Sequence, residues 1–209
     1  MFILFAGMIA YFVYFNLFGS RDIMNDSRNS RLAIIAEGVK RGNILSSDGE
    51  VLAEEIDYED GSSARSYPYG RTFAHVIGTS EINKSGVELT ADYDLITSGI
   101  NPLRKALNDI QGNKNPGNNV YTTLNAGLQR AAYDALGDRE GAVVAIEPST
   151  GKVLAMVSKP DYDPNYLADS YSEIINDESS KVLLNQATRG QFTPGSIFKI
   201  ITTLAYLRS

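Results

Sequence analysis

The sequence contains no cysteine and a single histidine, His75, among 209 residues. Without cysteine there is no disulfide, no thiol nucleophile and no thiolate-held zinc or iron–sulfur site. One histidine argues against a His-rich metal centre, and any Ser-His-Asp triad would have to use it. Positive charge is scarce as well: 19 Lys and Arg against 25 Asp and Glu leave a net of −6. That balance is the opposite of a nucleic-acid footprint. Nucleophilic chemistry must therefore rest on Ser, Thr, Lys, Tyr or a carboxylate. The length and the 43% hydrophobic content suit one ordinary domain plus something smaller.

Charge of either sign is missing from residues 1–18, where Asn16 is the one plainly polar side chain. Eighteen helical residues span about 27 Å, close to the ~30 Å hydrocarbon core of a bilayer. Tyr11, Phe12, Tyr14 and Phe15 gather toward the far end, where rings favour the membrane interface. A cleaved signal peptide would want a basic start and a small-residue cleavage site before Arg21, and has neither. A buried soluble helix is the third reading. We expect a transmembrane anchor over residues 1–19. Arg21, Arg28 and Arg31 follow it and no Lys or Arg precedes it, which by the positive-inside rule alone pulls against an exported domain.

From residue 20 the chain turns polar, with helical spacing over 31–40. Strand-like segments at 43–45 and 51–53 flank a turn at Ser46-Ser47-Asp48-Gly49. Residues 111–119 (QGNKNPGNN) combine Gly, Asn and Pro, which should deny the segment a packed face; we place a linker and a domain boundary there. Next, Leu128, Ala131, Ala132, Ala135 and Leu136 recur at helical spacing over 125–136, with Thr122, Thr123 or Asn125 placed to cap the start. Apolar runs at 142–146 and 153–157 flank Glu147-Pro148-Ser149-Thr150-Gly151. They read as strands buried on both faces or central in a sheet. A helix is expected within 169–184. There is no internal repeat.

Ser196 and Lys199 are the best candidates for chemistry. Pro194 and Gly195 break the backbone, and the apolar run 200–207 predicts a buried helix starting near Ser196. A spacing of three sets serine and lysine on one face, about 5–6 Å apart at Cβ. A serine at a helix start meets unpaired N–H groups that stabilise an oxyanion. A lysine kept neutral by burial can take the serine proton. The plain alternative is an N-cap serine with a solvated lysine one turn on.

The phrase Pro194-Gly195-Ser196-x-Phe198-Lys199 resembles the PGSTFK signature of penicillin-binding proteins, the serine acyltransferases that cross-link peptidoglycan. Ile197 stands where the family usually has threonine. Gly141 to Ile146, Pro148-x-Thr150-Gly151 and Ala155-Met156-Val157-Ser158 resemble the family's first hairpin. Tyr162-Asp163-Pro164-Asn165 and Asn185-x-Ala187 fit its lead-in to the nucleophile. In the first half, Arg41-Gly42-x-Ile44, Asp48-Gly49 and Leu52-Ala53 resemble the membrane-proximal motif of class B enzymes. Arg65-x-Tyr67-Pro68-x-Gly70, His75-x-x-Gly78 and Gly86-x-Glu88 resemble the next two. With so few residues between Ala53 and Arg65, the layout is most similar to the compact penicillin-binding protein A type.

The resemblance implies an α+β protein: a transmembrane anchor over 1–19, a small mixed α/β pedestal over 20–119, and the N-terminal part of a β-lactamase-like transpeptidase domain over 120–209. It implies Ser196 as acyl nucleophile and oxyanion-hole N–H donor, and Lys199 as general base. His75 is implied to be structural, with Arg41 and Glu88 as an ion pair or turn partners. It implies no metal and no organic cofactor. The implied partners are peptidoglycan stem peptides, β-lactams as covalent inhibitors, the membrane, and a membrane glycosyltransferase or division protein. The implied location is the cell membrane, single-pass, with the bulk of the chain outside the cytoplasm. The family's Ser-x-Asn and Lys-Thr/Ser-Gly motifs lie downstream of the nucleophile, and only ten residues follow Lys199. Ser27-Arg28-Asn29 and Lys84-Ser85-Gly86 mimic them but lie upstream, so neither is taken as catalytic. The chain alone is expected to be inactive. The rival readings are a non-catalytic membrane-tethered scaffold for cell-wall partners, and a related acyl-serine sensor or β-lactamase.

Overall fold

In the computed structural model, which describes residues 2–14, 36 and 38–208, the pedestal is organised around a four-stranded sheet. The chain begins with helix α1 (Phe2–Tyr14) and enters the pedestal at β1 (Val39–Lys40). Strand β2 (Ile44–Leu45) turns through Ser46–Gly49 into β3 (Val51–Asp57), which pairs antiparallel with β4 (Ser63–Ser66). A 3-10 turn (Gly70–Phe73) leads into α2 (Ala74–Ile77), α3 (Gly86–Thr90) and α4 (Asp92–Ile96). Then come α5 (Pro102–Gln111), β5 (Asn115–Pro116) and β6 (Val120–Tyr121). Strand β6 lies parallel to β2, giving the order β4-β3-β2-β6, while β5 lies parallel to β1 in a separate two-stranded ladder.

The second half holds α6 (Ala126–Leu136), the antiparallel hairpin β7 (Gly141–Ile146) and β8 (Val153–Lys159), α7 (Leu167–Asn176), α8 (Gln186–Arg189) and α9 (Lys199–Arg208). Ile44, Leu52, Ala53, Phe73, Ile77 and Leu95 form the main core, and Leu124 and Ala126 from the second half complete it. A satellite cluster joins Ala74 to Tyr162 and Leu167. Burial thus runs continuously from the sheet to the hairpin.

Several expectations are corrected. The helix expected over 31–40 falls mostly outside the described residues, and at its end Val39–Lys40 is a strand, because Gly117 N–H donates to the Lys40 carbonyl at 2.7 Å. The 111–119 stretch does not lack a packed face. Asn115 is buried, accepting from Asn108 Nδ2 at 3.1 Å and donating to Asp109 Oδ1 at 2.7 Å. Gly117 is pressed so close that a Cβ there would stand 1.9 Å from the Leu95 carbonyl oxygen. The helix at 126–136 forms, capped by Asn125, whose side chain accepts from Leu128 N–H at 2.8 Å. Its buried face, however, is Ala126 and Gln129, while Leu128, Ala131 and Ala135 are exposed. Strand β7 is not buried on both faces, since Val144 and Ile146 are exposed. The helix sought within 169–184 is α7, which ends at Asn176.

Helix α1 carries no charge and exposes Leu4, Phe5, Met8 and Phe12. Its thirteen residues rise about 20 Å. Among the described residues no helix is long and apolar enough to cross a membrane, and positions 15–19 of the expected anchor lie outside them.

Candidate active site

Ser196 lies in a 3-10 turn (Gly195–Phe198) that runs directly into α9, whose first residue is Lys199. Gly195 takes φ +55°, a left-handed conformation that glycine adopts without the Cβ clash. Lys199 N–H donates to the Ser196 carbonyl, so the two residues are stacked one turn apart. Thr202 and Thr203 hydroxyls donate to the Lys199 carbonyl at 3.0 and 2.7 Å and tighten the start of α9. Ile197, in the usual threonine position, is exposed. The helix is not buried as its apolar sequence suggests: Ile200, Ile201, Leu204 and Leu207 are all exposed, because no described element packs over them. Ser196 and Lys199 are exposed too.

In the first half of the chain the pedestal motifs form a buried charge lattice. Glu88, fully buried, receives Arg41 Nη2 at 2.6 Å on one carboxylate oxygen and Arg65 Nε at 2.7 Å on the other. Arg41 Nη1 also holds Asp92 Oδ1 at 2.6 Å, and Lys84 Nζ holds Asp92 Oδ2 at 2.8 Å. Burial pulls the Arg41 guanidinium down, but Glu88 and Asp92 outweigh it and leave its pKa raised. Lys84 is thereby engaged within the pedestal. Between α2 and α3, Gly78 backs onto the Ser85 carbonyl so closely that a Cβ would meet it at 2.0 Å.

A second set of contacts fixes the hairpin on the pedestal. His75 Nε2 lies 2.9 Å from the Pro160 carbonyl; a carbonyl only accepts, so this nitrogen carries the proton. The ring packs edge-to-face on Tyr162, centroids 5.3 Å apart, and burial pushes its pKa below the ordinary value. His75 is a structural clasp. Asn165 Oδ1 accepts from Tyr67 N–H at 2.9 Å and Asn165 Nδ2 donates to the Tyr67 carbonyl at 3.0 Å. Burial, first of all, pushes the Tyr67 phenol up to about 12. Asp48 takes the Ala126 N–H at 3.2 Å at the start of α6, and the Ser46 hydroxyl and that N–H hold its carboxyl low. Gln129 was not anticipated: its Nε2 donates at 2.8 Å to the carbonyls of both Thr72 and Met156, and its Oε1 accepts from Met156 N–H. The only trace in the sequence is a polar residue on the same helical face as Ala126.

Residues 141–209 match the penicillin binding protein transpeptidase domain, and residues 41–120 match the penicillin binding protein A dimerisation domain. The chain belongs to the penicillin-binding protein family. Peptidoglycan D,D-transpeptidase PbpA of Mycolicibacterium smegmatis is 36% identical over 211 residues, covering 92% of this chain and 42% of that protein. MrdA of Acinetobacter baumannii, also named a peptidoglycan D,D-transpeptidase, is 34% identical over 65% of this chain and 25% of its own. The imipenem acyl-enzyme complex of penicillin-binding protein A from M. tuberculosis superposes with a TM-score of 0.70 at 34% identity, over 82% of this chain and 43% of that one. The chain spans about two fifths of the length of the PbpA relatives it matches, 42%. As a penicillin-binding protein it has a mixed α+β fold in which the motifs of the first half hold the pedestal together and fasten it to the first hairpin.

Proposed function

We propose that this chain supplies the anchor, the pedestal and the nucleophile-bearing segment of a membrane-bound peptidoglycan D,D-transpeptidase. The observation that carries the reading is the stacking of Ser196 and Lys199 on one helical turn at the start of α9, inside the segment matched to the transpeptidase domain. Lys199 Nζ takes the Ser196 hydroxyl proton as Oγ attacks the carbonyl between the two terminal D-alanines of a stem peptide. The tetrahedral oxyanion is met by the Ser196 N–H. The peptide C–N bond then breaks, and D-alanine leaves with the proton returned by Lys199. The amine of a neighbouring stem attacks the Ser196 ester carbonyl, its proton passes to Lys199, the acyl C–Oγ bond breaks, and Lys199 returns the proton to Oγ. β-Lactams acylate the same oxygen by opening their ring amide.

Lys199 must be neutral to act as base, and desolvation is what favours the neutral form. No described element encloses it, so the reading requires enclosure by further protein in a chain of the relatives' length. The uncharged helix α1 with its exposed apolar side chains supports a single-pass anchor over 1–19, with the pedestal outside the cytoplasmic membrane, where the substrate lies. A membrane glycosyltransferase or division protein fits as partner of the pedestal. The exposure of Ser196 and Lys199 favours one alternative: a scaffold role for the 209-residue chain by itself.

Fluorescent penicillin decides between them. The protein in its host's membranes is expected to label, and Ser196→Ala to abolish the label; a folded protein that stays unlabelled would sink the enzyme reading. The isolated 209-residue chain is expected not to label.

A further inference from the structure

Helix α5 turns its apolar side to solvent. Leu103, Leu107 and Ile110 are 80%, 53% and 84% exposed. At about 100° per residue they fall within a sector of about 60°. The opposite side carries Asn108 and Asp109, which hold β5 through the Asn115 side chain at 3.1 and 2.7 Å. The helix is thus fastened by its polar side, and the apolar stripe faces away from the pedestal. Asn101 Oδ1 caps its start by accepting from Leu103 N–H at 2.9 Å. Arg104 and Lys105 lie outside the stripe, exposed and without an ion-pair partner among the described residues.

The position of α5 gives its stripe a partner. Strand β5 runs parallel to β1, and Asn115 N–H donates to the Gly38 carbonyl at 3.1 Å. Gly38 is where the chain arriving from α1 joins the pedestal. The apolar stripe and two cations, unpaired among the described residues, therefore sit beside Gly38, where the described pedestal begins. A low overall hydrophobicity, one apolar side and basic residues on the remainder describe a helix that lies in the headgroup region of a bilayer.

We propose that α5 is a membrane-surface helix: it seats the pedestal on anionic lipid, with Leu103, Leu107 and Ile110 in the acyl boundary, Arg104 on the flank of the stripe toward the phosphates, and Lys105 adding positive charge on the far side. This rests on the reading of residues 1–19 as an anchor, which brings the bilayer within reach. A second copy of the chain, or a protein partner, is the competing occupant.

The chain contains no tryptophan, so one substitution makes a unique probe. The full chain carrying Leu107→Trp is reconstituted in vesicles of phosphatidylcholine and phosphatidylglycerol, beside a chain carrying Phe12→Trp. Emission from Leu107→Trp is expected to shift to the blue and to lose about half its intensity to lipids brominated near the headgroup, the 5–10 Å depth of an interfacial helix. Adding Arg104→Glu with Lys105→Glu is expected to restore much of that intensity. Unquenched Leu107→Trp beside quenched Phe12→Trp would overturn the proposal and leave the anchor standing. The reverse pattern would support α5 and sink the anchor, and both unquenched would overturn both. A blue shift that follows protein concentration and ignores brominated lipid assigns the stripe to protein, and overturns the lipid.

Discussion

Asn165 reads the backbone of Tyr67 in both directions, accepting from its N–H and donating to its carbonyl, across 98 residues of sequence. Its orientation is fixed by Asp163, whose Oδ1 takes both Asn165 N–H and Nδ2 at 3.0 and 2.9 Å. A loop asparagine is therefore a fastener between two halves of the chain. Asn165→Ala leaves the partly buried Tyr67 N–H unpaired, while the Tyr67 carbonyl keeps the Gly70 N–H at 2.9 Å, and is expected to cost about 1–3 kcal/mol. Urea unfolding followed by circular dichroism measures it.

Glu88 stands between two arginines with no solvent to share the charge. Glu88→Ala strands Arg65, leaves Arg41 to Asp92 alone, and is expected to cost about 3–5 kcal/mol. Buried pairs are screened little by salt, so the loss should persist when the ionic strength is raised. An unfolding midpoint that recovers in high salt would show the pairing to be superficial.

Gly117 and Gly112 give opposite expectations. At Gly117 an added Cβ meets backbone, the Leu95 carbonyl oxygen at 1.9 Å and Gly42 N at 2.8 Å, and neither atom has room to yield. Gly117→Ala is expected not to yield a folded pedestal. Gly112 has φ +72° but open space around it, so Gly112→Ala costs only the left-handed strain, about 1–2 kcal/mol. Thermal melts of the two variants make the comparison.

His75 ties stability to pH. Its folded pKa lies below the unfolded value of about 6.5, so the unfolded chain binds the extra proton first. Stability is flat above roughly pH 7 and falls as pH drops through 6.5, until the folded pKa is passed. His75→Gln is expected to remove that slope. Unfolding midpoints between about pH 8 and 5.5 test it, above the range where ordinary carboxylates titrate.

Local pattern was enough for the hairpin, whose apolar runs and Pro-Ser-Thr-Gly turn are read correctly, and for Asn125, a cap defined by its own next three residues. What distant partners decide was not legible. QGNKNPGNN looks like a solvated linker until Asn115 meets Asn108 and Asp109, and Gly117 meets Leu95. In α6 Leu128, Ala131 and Ala135 point outward while Gln129 finds three main-chain partners inside, and no periodicity announces that. Ser196 and Lys199 were placed by a motif, and their turn is as expected. Their burial was not, since it depends on what packs above α9.

The bond between Tyr67 and Asn165 also sets a timetable. The ribosome adds about 5–20 residues per second, so Asn165 follows Tyr67 by roughly 5–20 seconds. The charge lattice needs nothing beyond Asp92 and closes well inside that interval. The Tyr67 N–H and the His75 carbonyl, partnered by Asn165 and Asn185, wait for those partners until the hairpin has been made. The nascent pedestal thus closes its charge lattice first and is fastened to the hairpin last.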